Sequence, residues 1–160
     1  MTIREMPSDS RVWIYQSNRE LSQSEVDEIS RKGESFISEW TAHRKLMEAC
    51  LSVEHHRFIV LMADEKKALA SGCAIDKSIY FIKEMEQRFN ITLLDRTLVA
   101  FRTGEGTNTF RISEFEKFIQ SGTISPETLV FNNLVTSKKE WESHWLTPLK
   151  NTWLMKNVGK

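Results

Sequence analysis

The apolar run FIVLMA at residues 58–63 constrains the fold most, because it has no polar position on either face. A strand that is apolar on both faces must be covered on both, so this run predicts the central strand of a sheet. Residues 47–55, just before it, alternate apolar and polar side chains and predict a half-exposed neighbouring strand. The two strands meet at His55, His56 and Arg57, where no Gly or Asn favours a tight hairpin.

Two amphipathic helices accompany these strands. The first has Ser22 and Glu25 in a capping-box pattern and is predicted to end near His43. Its apolar stripe has helical spacing and consists of Val26, Ile29, Gly33, Phe36, Ile37 and Trp40. The second helix follows residue 70, with the stripe Ile75, Ile79, Ile82, Met85 and Phe89. Concentrations of β-branched and aromatic residues predict further strands at residues 12–16 and 97–102.

The order strand, helix, strand, strand, helix, strand is that of a ferredoxin-like split βαβ unit, an antiparallel sheet with helices on one face. We therefore predict an α+β domain of this kind at residues 1–96. The strand at residues 97–102 completes the ferredoxin-like order of elements. It also begins a second segment, residues 97–160, whose sequence pattern differs from that of the first domain. That segment contains a Gly-rich hairpin, a short helix ending in Gly, one more strand and a helix with Trp141 and Trp145 one turn apart. It predicts a small C-terminal module packed on the first domain.

Charge and hydropathy exclude several classes of protein. The 22 Lys and Arg balance 22 Asp and Glu, so no net positive field attracts nucleic acid. No apolar run approaches the roughly 20 residues that span a bilayer, and the N-terminus lacks the apolar core of a signal peptide. We predict a cytoplasmic protein with no membrane or nucleic-acid partner, in which Cys50 and Cys73 are free thiols. The His and Cys spacings suit no metal site and no cofactor motif is present, so neither group is predicted.

The C-terminal segment contains TLVAFRTGEGTNTFRISEFEKFIQSG and TISPETLVFNN, followed by late tryptophans. Over about the last 60 residues this pattern resembles bacterial GYF-type modules. It departs from them where their Gly-Pro-Phe-like step is Asn108-Thr109-Phe110. The resemblance implies an aromatic surface for a proline-rich or extended peptide, with the candidates Phe101, Phe110, Trp141 and Trp145. The alternative is that these rings belong to a hydrophobic core.

The whole chain also resembles a small uncharacterised soluble family from Bacteroidetes-type bacteria, often labelled ABC transporter ATPases. The resemblance lies in WIYQSNRELS, SEWTAH, SGCAIDKS with FIKEME after it, and TLVFNNLVTSKKE. A P-loop needs G-x-x-x-x-G-K-[ST], because backbone amides wrap the phosphates while the Lys neutralises them. No Gly in this sequence starts that pattern. We therefore predict that the protein is not an ATPase.

The stretch ASGCAIDKS at residues 70–78 leaves two interpretations of Cys73 open. If Ser71 caps the second helix, Cys73 lies in its first turn, where free backbone amides and the helix dipole favour a thiolate. If Asp76 is the cap, Cys73 is a small buried filler in the preceding loop, and the capping preference of Asp favours this interpretation. A catalytic thiol needs a base and a group that orients the base, for which His43 and Asp76 are the candidates.

Three functions follow from these observations. The leading one is a non-enzymatic protein- or peptide-interaction module, which needs an exposed ring among Phe110, Trp141 and Trp145. The alternative is a thiol-dependent enzyme or redox sensor using Cys73. A third is a small-molecule binder on the open face of the sheet, lined by Trp13 and Tyr15. An uncovered sheet face would also permit a homodimer.

Overall fold

The computed structural model describes residues 2–66, 68–104 and 106–156. Within these residues the chain combines antiparallel sheets with five α-helices, which confirms the predicted α+β class. The chain divides into two units, Met1–Leu94 with Thr136–Lys139, and Asp95–Val135 with Glu140–Lys160. None of the described helices is both long enough and apolar enough to cross a membrane.

The first unit is built on a three-stranded antiparallel sheet. After a short 3-10 turn at Ile3–Glu5, its elements are β1 (Arg11–Gln16), α1 (Gln23–Glu39), β2 (Thr41–Ala42), β3 (Lys45–Leu46), β4 (Glu48–Glu54), β5 (Phe58–Asp64) and α2 (Gly72–Phe89). The strand order is β1-β5-β4, with β2 and β3 forming a separate small hairpin. Residues 58–63 are at most 1% exposed, so the prediction of a central strand is confirmed.

Serine side chains cap both long helices. The Ser22 hydroxyl accepts a hydrogen bond from the Glu25 amide at 3.2 Å, and the Glu25 carboxylate accepts one from the Ser22 amide at 2.9 Å, which confirms the predicted capping box. The Ser71 hydroxyl accepts from the Ala74 amide at 3.1 Å, so the interpretation with Asp76 as cap is wrong. A start of α2 at Gly72, before Asp76, is favoured because it brings Ala74 into the core. There the Ala74 carbonyl accepts the Trp40 indole N–H at 2.8 Å.

An arginine joins the start of α1 to the end of α2. The Arg19 guanidinium donates to both carboxylate oxygens of Glu25 at 2.9 and 2.8 Å, and to the Phe89 carbonyl at 2.7 Å. The hydrogen bond from Arg19, followed by that from the Ser22 amide, lowers the pKa of Glu25 from 4.5 to about 2. Because the folded pKa is depressed, this stabilisation is complete above about pH 4.5 and is lost as the pH falls towards 2.

We expect Arg19→Met to lower the free energy of unfolding by about 1 kcal/mol at pH 7. The expected loss is small because the Arg19 side chain is 41% exposed and solvent weakens its ion pair with Glu25. The difference from wild type should shrink at pH 2.5, because this pH lies well below the ordinary pKa of 4.5: the unfolded chain then holds Glu25 protonated, and folding to the charged form beside Arg19 gains less free energy. Urea unfolding at the two pH values measures it. Arg31→Met, an exposed change on α1, is the control. An equal loss at both pH values would contradict the prediction.

The predicted end of α1 near His43 is wrong. The helix ends at Glu39, and residues 41–46 form the small hairpin β2–β3. His43 and Arg44 make its two-residue turn at φ values of 52° and 66°. His55 and His56, at φ 53° and 52°, likewise make the turn between β4 and β5, where no Gly or Asn is available. Histidine is among the non-glycine residues enriched at positive φ, which accounts for three of these four positions but not for Arg44.

We expect the paired change His43→Asn with Arg44→Gly to stabilise the protein by about 0.5 kcal/mol. Asn-Gly is the preferred pair for such turns, and the relieved strain of about 1 kcal/mol exceeds the added entropy of the unfolded Gly. The urea midpoint should rise, because both side chains are exposed and make no described contact. The matched change Lys45→Asn with Leu46→Gly, in β3, should lower it. A fall in the midpoint of the turn variant would contradict the argument.

The second unit contains a four-stranded antiparallel sheet in the order β7-β6-β8-β9. Its elements are β6 (Leu98–Thr103), β7 (Gly106–Arg111), α3 (Phe115–Gln120), β8 (Leu129–Phe131), α4 (Lys138–His144), β9 (Leu146–Pro148) and α5 (Trp153–Lys156), with 3-10 turns at Ile112–Glu114 and Leu149–Asn151. The first two residues of α4 belong to the first unit. The core of the second unit contains Phe101, Phe110, Phe115, Ile124, Val130, Leu149 and Leu154.

The predicted strand at residues 97–102 does not complete the first sheet. It corresponds to β6, which pairs with β7 along its whole length and with β8 at Phe101. A hairpin closes a short loop at little entropic cost, so this local pairing forms in preference to a distant one. The first sheet therefore has three strands among the described residues, one fewer than a ferredoxin-like sheet needs. At the β1 edge of this sheet, the Val12 amide donates to the Thr136 carbonyl at 2.9 Å. Beside it, the backbones of Arg11 and Ser137 form an isolated antiparallel β-bridge.

Candidate functional site

The candidate site is a groove of about 760 Å³ in the first unit, between α1 and α2. We call it the helix groove. The α1 side contributes Lys32, Ser35, Phe36, Glu39 and, just after the helix, Trp40. The α2 side contributes Asp76, Lys77, Tyr80, Phe81, Glu84 and Met85.

The helices that form the groove run antiparallel, because each follows a strand of the antiparallel pair β1 and β5. Two contacts fix their register. Phe36 stacks on Phe81 with ring centroids 4.9 Å apart and an interplanar angle of 15°. About two turns from that stack, Arg88 on α2 donates to the Glu28 carboxylate on α1 at 2.9 Å. The relative position of the two walls is therefore set by packing.

The floor of the groove is aromatic and already packed. Trp40 is 1% exposed, lies 5.3 Å from the ring of Phe36, and uses its indole N–H on the Ala74 carbonyl. Phe81 and Met85 are also buried. Such a floor needs no rearrangement before it receives an apolar group, which keeps the entropic cost of binding low.

Tyr80 differs from the floor residues because its side chain is 73% exposed. It follows Ile79 on α2 and lies outside the apolar stripe of that helix, so the core does not require an aromatic residue there. An exposed aromatic ring at the mouth of an apolar groove is characteristic of binding surfaces, where tyrosine offers large contact area at low entropic cost.

The rim of the groove carries five charged side chains, none of which has an ion-pair partner among the residues that the structure describes: Lys32, Glu39, Asp76, Lys77 and Glu84. The neighbouring Glu28 and Arg88 pair with each other across the helices. Since the helices are antiparallel, Glu39, Asp76 and Lys77 share one end of the groove, while Lys32 and Glu84 share the other. The end at Glu39 therefore has two carboxylates and one ammonium group, whereas the end at Lys32 has one of each.

The structure places the three predicted catalytic residues in one region of the first unit. Cys73 is exposed in the first turn of α2, His43 is exposed in the β2–β3 turn, and Asp76 lies one turn beyond Cys73. Ala42, which precedes His43, and Ala74, which follows Cys73, belong to one apolar cluster. The other thiol, Cys50, is buried, and burial raises its pKa to about 11, so it is protonated at neutral pH.

The predicted peptide-binding rings of the second unit are mostly in its interior. Phe101 and Phe110 are 4% and 2% exposed and pack against each other. Trp145 is buried and donates its indole N–H to the Asn133 side chain at 2.9 Å. Trp141 stacks on Trp145 at 5.4 Å and is half-buried, so it is the member of the set with accessible ring surface.

The third functional hypothesis needed an open sheet face at Trp13 and Tyr15. Both residues point to the side that α1 and α2 cover. Tyr15 is buried, and Trp13 makes an edge contact with Trp40 at 5.9 Å. These side chains therefore pack beneath the helices and do not line an open pocket.

Sequence reasoning assigned Phe36 and Trp40 to the core stripe of α1 but did not connect them with a site. It also passed over Tyr80, although an aromatic residue on the polar side of an amphipathic helix is a usable signal. Within the described ranges no group of three or more His, Cys, Asp and Glu residues could hold a metal ion. Comparison with protein-family models, curated proteins and solved structures finds no match to this chain. Membership of the families that the sequence resembles therefore stays a prediction.

Proposed function

We propose that this protein is a non-enzymatic interaction module that binds a peptide segment of another protein in the helix groove. The observation that carries the proposal is the exposed Tyr80 ring beside a preformed floor of Phe36, Trp40 and Phe81. An apolar floor with a polar rim is the usual anatomy of a binding site. From Lys32 to Trp40 the groove is about 12 Å long, which suits about four residues of extended peptide.

Selection from a phage-displayed library of random heptapeptides tests this function. The wild-type protein should enrich peptides whose binding is at least about tenfold weaker to Tyr80→Ser, because the exposed ring contributes contact area to the complex. Tyr80 is largely exposed, so the substitution should leave stability within about 0.5 kcal/mol. Leu69→Ser, another exposed apolar position of the same unit, is the control. Enriched peptides that bind Tyr80→Ser unchanged would exclude the groove as the binding site.

We also propose that the two units are distant variants of the folds that the sequence resembles. The order β1-β5-β4 with a helix after β1 and another after β5 supports a ferredoxin-like relationship. The hairpin β6–β7, the helix α3 followed by Gly122 at φ 76°, and the strand β8 support a GYF-like second unit. In that unit, Trp141 would be the ring that contacts a proline-rich or extended peptide.

A second candidate function is a thiol-dependent enzyme or redox sensor. It is favoured by the exposure of Cys73 and by the shared cluster that brings the His43 turn near the first turn of α2. Iodoacetamide should label Cys73 in the native protein while Cys50 reacts after unfolding. If His43 serves as base, His43→Gln should slow the labelling of Cys73 severalfold. An unchanged rate would identify Cys73 as an ordinary surface thiol.

A further inference from the structure

We infer that the helix groove recognises a peptide segment in which an arginine or lysine lies two residues from an apolar residue. This inference rests on the function proposed above and names the chemistry of the partner. Its starting point is the unequal charge of the two ends of the groove. Glu39 and Asp76 outnumber the single cation Lys77 at one end, whereas Lys32 and Glu84 balance at the other.

The carboxylates at the acidic end are accessible and not engaged elsewhere. Glu39 and Asp76 are both exposed, and neither has a hydrogen-bond or ion-pair partner within the described part of the chain. By contrast, the carboxylates that hold the unit together have defined partners, as Glu25 has Arg19 and Glu28 has Arg88. A basic ligand group can therefore bind at Glu39 and Asp76 without breaking an existing pair.

The distance between Phe36 and Glu39 along α1 sets the spacing in the peptide between its apolar side chain, which we call the anchor, and its basic side chain. Glu39 lies three residues beyond Phe36 on α1, which corresponds to a rise of about 4.5 Å. Side chains of an extended peptide alternate between its two faces, so the next side chain on the face of an anchor over Phe36 and Phe81 belongs to the residue two positions away, about 6.8 Å along the peptide. An arginine or lysine at that position has a side chain long enough to reach Glu39. The basic residue should therefore come two positions from the apolar anchor.

Arginine should be preferred to lysine at this position. A planar guanidinium can donate to two carboxylates at once, and it also stacks on an aromatic face better than an ammonium does. Tyr80 is one turn along α2 from Asp76 and offers an exposed ring for that contact. With its basic residue at Glu39 and Asp76, the bound peptide would extend from that end of the groove towards the end at Lys32.

The test compares selections from the same random heptapeptide library. Peptides selected by the wild type should carry Arg or Lys two positions from Leu, Met, Phe, Tyr or Trp at least about three times as often as the input library. The double variant Glu39→Gln with Asp76→Asn should lose this enrichment. The control, Glu34→Gln with Glu116→Gln, removes the same charge from exposed positions outside the groove and should keep it.

The most enriched peptide is then measured by fluorescence anisotropy. Its dissociation constant should rise about tenfold on the Glu39→Gln and Asp76→Asn variant, and by a similar factor when its Arg is replaced by neutral citrulline. The single variants provide the same readout if the double variant fails to fold. Binding that depends on Tyr80 but is indifferent to both charge changes would overturn this inference and leave the proposed function standing. Binding indifferent to Tyr80→Ser would overturn both.

Discussion

Replacing Phe110 with Ala should lower the free energy of unfolding of the second unit by about 3–5 kcal/mol, which makes it one of the two largest effects that we expect. The ring is 2% exposed and lies within 6.0 Å, centroid to centroid, of Phe101, Phe115 and Phe118. Truncation removes all three aromatic contacts and leaves a cavity that neighbouring strands cannot fill. Urea unfolding followed by tryptophan fluorescence measures the loss.

The exposed Leu134 is the matched control for Phe110, since Leu134→Ala should change stability by no more than about 0.5 kcal/mol. This pair also separates the two interpretations of the C-terminal aromatic residues. A ring that served mainly to bind peptide would be removed at small cost to folding. A loss below about 1 kcal/mol for Phe110→Ala would therefore contradict the core assignment.

Trp40→Ala should have a comparable effect on the first unit, a loss of about 3–5 kcal/mol. Trp40 is 1% exposed, contacts the rings of Trp13 and Phe36, and donates to the Ala74 carbonyl. Trp40→Phe retains most of the apolar volume but loses the hydrogen bond, so its cost should be nearer 1–2 kcal/mol, on the order expected for a lost buried bond plus a small cavity. Chemical unfolding of both variants measures the two contributions.

Leu69 provides the control for Trp40, because it lies in the same unit with its side chain 65% exposed, and Leu69→Ala should be nearly neutral. Since Trp40 is also part of the groove floor, Trp40→Phe tests the site while the unit stays folded. Peptides selected by the wild type should bind this variant with reduced affinity. Full stability of Trp40→Ala would show that the packing of α1 against α2 does not depend on this residue.

Local patterns predicted much of the first unit. The run at residues 58–63 identified its central strand, and Ser22 with Glu25 identified the start of α1, because each signal depends on neighbouring residues only. The sequence did not predict where β6 would pair, since strand partners are set by competition between distant segments. It also misplaced the end of α1, because two non-glycine residues, His43 and Arg44, adopt positive φ in the turn that follows.

The groove was harder to predict than the elements that form it. The periodicity of α1 and α2 showed which residues face inward, but not that Phe36 would stack on Phe81. That contact depends on how the antiparallel sheet below sets the two helices beside each other. The residues with visible chemistry, Cys73, His43 and Asp76, drew attention to the start of α2. The groove itself begins one turn later, at Asp76, and is formed largely by aromatic residues.

The return of residues 136–139 to the edge of β1 has a consequence for biosynthesis. The buried Lys138 ammonium donates to the Met6 carbonyl at 2.7 Å and to the Arg4 carbonyl at 3.2 Å, so the N-terminal segment is held by residues made much later. On the ribosome, the nascent first unit must wait for residues 95–135 before that edge is paired. Until then β1 exposes unpaired backbone groups, the kind of strand edge that invites aggregation and chaperone binding.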